Sequence, residues 1–238
     1  MILSVYLIMI KTWKPTPLDL GLSSVISIIF PLIAQFLYLK TGALIPMVLY
    51  YGLAWGICKW RRGSTGYFNN PKTKYPKAFL MNVGVILMSL ICAYFARIVN
   101  VHPNTSGIIL TALVWATINA ASEQLLWIYL FESWDLYLPW TEENKKKNWV
   151  FRFIGLILFS VFVGTIHTMY WVNFLHTVDS SMLIGVIFIL LTTISGFLHL
   201  VVWRKGNEMI YTFIPHFLLN LLPLFWTGYS IIPYLLNF

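Results

Sequence analysis

The sequence predicts an all-α fold, a polytopic transmembrane helical bundle of seven or eight spans forming one integral membrane domain over 1–238. Composition and the spacing of apolar runs carry that prediction. Mean hydropathy is +0.76, and 59% of the residues are hydrophobic against only 10% charged. That is too little charge to coat a soluble domain of this length. Apolar stretches near the length a bilayer requires recur along the chain, separated by short polar loops. Most of the cations behind the net charge of +8 sit in those loops, so the charge reads as topology rather than as a nucleic-acid footprint. Membrane lipids are the expected surroundings, and no nucleic-acid partner is expected.

The elements follow in order. Residues 2–10 are too short to span and are expected to lie in the interface or re-enter, with Lys11 and Lys14 next. Spans are expected over about 20–39, 42–58, 78–99, 107–131, 150–171 and 182–203. The second closes on Lys59, Arg61 and Arg62. A further span opens after the Arg204-Lys205-Gly206 turn. The apolar tail beyond it, broken by Gly228 and Pro233, is expected to make one long or two short segments. Lysine and arginine concentrate in loops 59–77, 132–152 and 204–205, whereas 100–106 and 172–181 have none. That alternation predicts a cytoplasmic amino terminus. Arg97, near a span's end, reads as an interface anchor. Cys58 and Cys92 lie in apolar runs and suggest no disulfide framework. No cleavable signal peptide is evident, because apolar Ile2–Ile10 precedes the first cations. Asn104-Thr105-Ser106 matches a glycosylation sequon, a short and common pattern.

Few charged or titratable groups fall inside the expected spans, and groups at that depth are costly enough to point to function. Glu123 lies in the fourth span, His167 in the fifth, His199 near the cytoplasmic end of the sixth, and His216 with Asn220 in the seventh. The four-residue spacing of His216 and Asn220 puts both on one helical face. A mid-span carboxylate such as Glu123 must be protonated, paired or facing water. The alternative reading is structural, with Glu123 and His216 bonding neighbouring helices and Asn220 as interhelical glue. At about 1.5 Å per residue, Glu123 sits roughly 13 Å in from Glu132 and His216 roughly 12 Å in from Glu208, so the two are expected at similar depth. Depth does not choose between His167 and His199. His102 and His176 are loop residues, expected to be solvated.

Glu123, a histidine late in the next span, and His216-Phe-Leu-Leu-Asn220 together resemble the CPBP family, the CAAX proteases and bacteriocin-processing intramembrane proteins related to the Ras-converting CAAX endopeptidase. The family pattern is EExxxR, FxxxH and HxxxN. Here the third motif is complete, and Val163-Gly-Thr-Ile-His167 carries valine in place of phenylalanine. In the first, Glu123 is followed by Gln124, and Ile128 stands where arginine is usual. The similarity covers about 107–222, and the family's spacing favours His167 over His199.

The resemblance implies an intramembrane hydrolase of a bacterial cell membrane, acting on a lipidated or membrane-inserted peptide or protein. Glu123 and His167 would activate water, and His216 and Asn220 would stabilise the oxyanion. No cofactor is expected. Zinc is the weaker alternative, because one glutamate and two histidines are zinc-like ligands but no HExxH-type spacing is present. The same parts would serve acyl transfer, as in bacterial lipoprotein N-acylation, with an amine as nucleophile and a membrane partner protein. A third alternative is a non-catalytic bacteriocin-immunity or scaffold protein.

Overall fold

A computed structural model of the chain describes residues 13–237. The expected interfacial segment 2–10 and the cation Lys11 lie outside these residues. The described chain is helical, with no named strand among the described residues. Helix α1 runs Pro17–Thr41. Helix α2, Leu44–Ile57, continues into a π-helical turn, Cys58–Arg62. Helix α3 is Lys77–Phe95. Helix α4, Thr105–Leu110, passes through a π-helical stretch, Thr111–Ala116, into α5, Thr117–Asp135. Helix α6, Lys145–Thr165, ends in a π-helical turn, Ile166–Tyr170, and a 3-10 turn, Trp171–Asn173. Helices α7 and α8 are Leu183–Gly206 and Ile210–Thr227.

Six of these runs are long and apolar enough to cross a membrane: 17–41, 77–95, 105–135, 145–173, 183–206 and 210–227. The expected count of seven or eight is therefore not met on length and apolarity. The α2 run with its π turn holds three cations in its last five residues, Lys59, Arg61 and Arg62. The tail departs further from expectation. Gly228 ends α8 in a left-handed conformation, and only the short 3-10 turn Ile232–Tyr234 follows. The tail is laced to the α1–α2 turn instead: Ala43 donates to the Tyr234 carbonyl (2.8 Å) and Leu44 to that of Leu235 (3.0 Å). Gly42 makes this approach possible, because its φ is +83° and a Cβ there would lie 2.6 Å from the Leu235 carbonyl oxygen.

Local sequence explains the helix starts. Thr16 caps α1 in a capping box with Asp19, and Pro17 takes the first turn, where a missing N–H costs nothing. Asn104 caps α4 by accepting from the Gly107 N–H at 3.0 Å. Arg97 wraps back to the Tyr94 carbonyl (2.6 Å) over the Tyr94 ring, at the end of α3.

Helix α5 is the axis of the bundle. Fifteen of its nineteen residues are buried on every face, against four of twenty-one in α6. It packs against α1, α2, α6, α7 and α8. Gly155 lets α6 close on it, since a Cβ there would meet the Phe131 carbonyl oxygen at 2.7 Å. Outer faces are apolar and exposed, as at Val25, Ile29, Leu32, Phe36, Leu87, Ile91 and Leu190. So wide an apolar exterior is what a bilayer-facing surface requires. Buried ion pairs gather at one end: Arg61 with Asp19 (2.8 Å), Arg62 with Glu132 (3.1 Å), and Arg152 with Asp135 (2.6 Å).

Candidate functional site

Two side chains of α2 and the first residue of its π turn follow one another at i, i+4 and i+7, and each meets α5. Tyr51 donates to Asn119 Oδ1 (3.1 Å), Trp55 Nε1 to Ser122 Oγ (3.0 Å), and Cys58 Sγ to the Leu125 carbonyl (3.3 Å). Both series rise together along the chain, so α2 and α5 run parallel. This ladder presents Asn119 to the next turn of its own helix, where Asn119 Nδ2 donates to Glu123 Oε2 at 3.1 Å.

Glu123 is 1% exposed and has further partners. Trp171 Nε1, from the turn that ends the α6 run, donates to Glu123 Oε1 at 3.0 Å. His216 Nε2 lies 3.4 Å from Glu123 Oε2, which joins α8 to α5. On the other side of the ring, Gln124 Nε2 bonds His216 Nδ1. Thr212, one turn before His216, donates to Gln124 Oε1 at 3.3 Å. The imidazole of His216 stacks on Trp127, with centroids 5.4 Å apart and planes 23° apart. Glu123, Gln124 and Trp127 are positions i, i+1 and i+4 of one helix, so a single arc of α5 forms this wall.

Asn220, one turn beyond His216, keeps its amide nitrogen buried, with no hydrogen-bond partner among the described residues. A buried donor left open is uncommon enough to require an explanation. Pro215 removes one backbone hydrogen bond from the turn that carries His216.

The two candidate histidines of the earlier spans fare differently. His167 lies in the π-helical turn and is exposed, and its Nδ1 faces the Val163 carbonyl at 2.7 Å. A carbonyl only accepts, so Nδ1 carries the proton and Nε2 keeps a lone pair. His167 makes no hydrogen bond to Glu123 or His216. His199 is buried, with its ring 5.7 Å from that of His216. Its two nitrogens face the carbonyls of Ser195 (2.6 Å) and Thr212 (3.1 Å), and Asn82 lies against the ring at 3.4 Å. His199 thus ties α3, α7 and α8 together.

The structure brings together Glu123 and His216, sets Asn220 one turn away, and leaves His167 bonded only within its own helical run. Sequence reasoning missed Asn119, Trp127 and Trp171. Asn119 could have been found from its i, i+4 spacing to Glu123, whereas only tertiary packing brings Trp171 to Glu123 and Trp127 against His216. Among the described residues, no group of three or more histidine, cysteine, aspartate or glutamate side chains is arranged to hold a metal ion. No family model matches the chain, and neither a curated protein nor a solved structure is found similar to it.

Proposed function

We propose that this chain is a multi-pass membrane hydrolase acting on a lipidated or membrane-inserted peptide, in a bacterial cell membrane with a cytoplasmic amino terminus. The observation that carries this reading is a buried Glu123–His216 pair with an open amide donor, Asn220, on the same face of α8. In the reaction, a water oxygen attacks the substrate carbonyl while Glu123 takes its proton. Negative charge then develops on the carbonyl oxygen, where the Asn220 amide donates and the His216 Nε2–H turns from Glu123, once that carboxylate holds the water's proton, to join it. Collapse of the intermediate breaks the C–N bond as Glu123 passes that proton to the leaving amine. His167, with Nδ1 committed to Val163, supplies an Nε2 lone pair as a second base. Its resemblance to the CPBP motifs supports the same assignment. Seven crossings fit the reading, with α2 and its cation-terminated π turn added to the six longer or more apolar runs.

A second reading, a non-catalytic scaffold, is favoured by one observation. Both carboxylate oxygens of Glu123 already hold donors, and the group is buried. Peptide and lipid mass spectrometry of membranes with and without the protein separates the two. Glu123→Gln is expected to lower turnover by about 10²–10⁴-fold, and Asn220→Ala by about 10²–10³-fold, with both proteins accumulating normally. If both variants accumulate and leave the membrane peptide and lipid pools as the unaltered protein does, the hydrolase reading fails and the scaffold reading stands.

A further inference from the structure

The backbones of helices α6 and α7 stand apart, and the two meet through side chains such as Phe159 and Phe197. Between them runs a groove of about 210 Å³, lined by Arg152 and Arg204 and by apolar side chains. Its volume is below the roughly 300 Å³ at which pockets for whole drug-sized ligands begin, so it suits part of a chain rather than a compact molecule. Leu156 lies one turn deeper than Arg152 on α6. Leu200 and Phe197 lie one and two turns deeper than Arg204 on α7. The walls therefore descend from two cations into Phe131, Leu156, Phe197, Leu200 and Val201. Phe159, edge-to-face with both Phe197 (5.3 Å) and Trp127 (6.0 Å), lies between the groove and the Trp127 ring that stacks on His216.

The charges at the mouth do not balance. Asp135 is fully buried and faces both guanidiniums, so there are two cations for one carboxylate. Arg152 Nε donates to Asp135 Oδ1 at 2.6 Å, and its guanidinium lies over the Trp140 and Trp149 rings. Arg204 Nη2 comes within 2.9 Å of Asp135 Oδ2, yet that oxygen has no hydrogen bond, so the contact is one of charge and not of aimed donors. A guanidinium carries five N–H donors, and among the described residues Arg204 donates none to a protein acceptor. Glu132, the next carboxylate on α5, is held by Arg62 and Trp203. Lys146, Lys147 and Lys205 add positive charge at the same helix ends, where Lys145 pairs with Glu142 (3.3 Å) and Glu143 is a further acid.

The geometry points to a binding site for one anionic glycerophospholipid, its phosphate on Arg204 and Arg152 and an acyl chain in the α6–α7 groove. Basic pockets between helices at the cytoplasmic ends of a bundle recognise such headgroups, and the excess of two guanidiniums over one shared carboxylate selects an anionic one. This inference needs the chain to lie in a bilayer but rests on no catalytic role for Glu123 or His216.

Native mass spectrometry of the full chain in detergent tests it, with titration of phosphatidylglycerol, phosphatidylcholine and inorganic phosphate. Phosphatidylglycerol is expected to be retained preferentially. Arg204→Gln, which leaves Asp135 with Arg152, is expected to weaken retention about tenfold. Val201→Trp, which fills the groove from an exposed position, is expected to abolish it, and it decides the matter if the arginine variant does not fold. Equal retention of both lipids, or retention unaffected by Val201→Trp, overturns the proposal. Full displacement of the lipid by equimolar inorganic phosphate also overturns it, because the groove would then add nothing.

Discussion

At His216 the two ring nitrogens face different partners, Gln124 Nε2 on one side and Glu123 Oε2 on the other. With the Gln124 amide nitrogen toward the ring, Nδ1 accepts and Nε2 carries the proton that points at the carboxylate. Gln124→Glu replaces this donor with an acceptor and turns lone pairs toward one another. The variant is expected to lose about 1–3 kcal/mol of stability, measured by denaturant unfolding in detergent. Unchanged stability would show that Gln124 does not set the ring's proton. Asn119→Leu is expected to cost a similar amount, about 1–3 kcal/mol, since it strips a donor from Glu123 and an acceptor from Tyr51. Restoration by Asn119→Gln would argue against the geometry, because the longer side chain misplaces both bonds. Glu123, His216 and Asn220 were legible in the sequence, because a polar residue in an apolar run is conspicuous. Their mutual arrangement was only partly so. His167 sits in a π-helical turn, and each extra residue in such a turn rotates everything after it, so facing arithmetic from an ideal helix fails there.

The helical runs were legible too, since hydropathy records how long a segment stays apolar. What hydropathy does not record is whether an apolar segment crosses the bilayer or seals the end of a bundle. The tail after Gly228 is apolar enough to suggest a span, but Tyr234 and Leu235 pack on the core, and their carbonyls serve the first N–H groups of the α2 end. Gly42→Ala tests that arrangement. The substitution forces a side chain into positive φ and against the Leu235 carbonyl, costs of about 1–3 kcal/mol. It is expected to lower the thermal midpoint and to speed carboxypeptidase trimming of the tail. Trimming at the unaltered rate would mean that the tail is held elsewhere. The ion pairs were likewise hidden in the sequence. Glu132 and Asp135 read as loop charges beside a helix end, whereas α5 carries both into buried positions among the arginines of three other elements.

Across the whole molecule, α5 runs down the centre with its polar groups turned to neighbours, and the apolar exterior is left to the outer helices. Both cysteines are buried, which gives a quiet background for mapping sidedness. Cysteines introduced one at a time at Lys146 and Ser181, at opposite ends of the α6 and α7 runs, are expected to react with an impermeant maleimide from opposite sides. Ser181→Cys should label in intact cells and Lys146→Cys only after lysis. Labelling of both from one side would overturn the bundle's orientation. The lacing of the tail to the α1–α2 turn bears on how the bundle is assembled. Asn237 reaches the Tyr38 carbonyl across 199 residues of chain, and every helix from α2 to α8 lies between. Closing so long a loop is slow to nucleate, so the first hairpin must wait with its turn unsealed while the later helices insert.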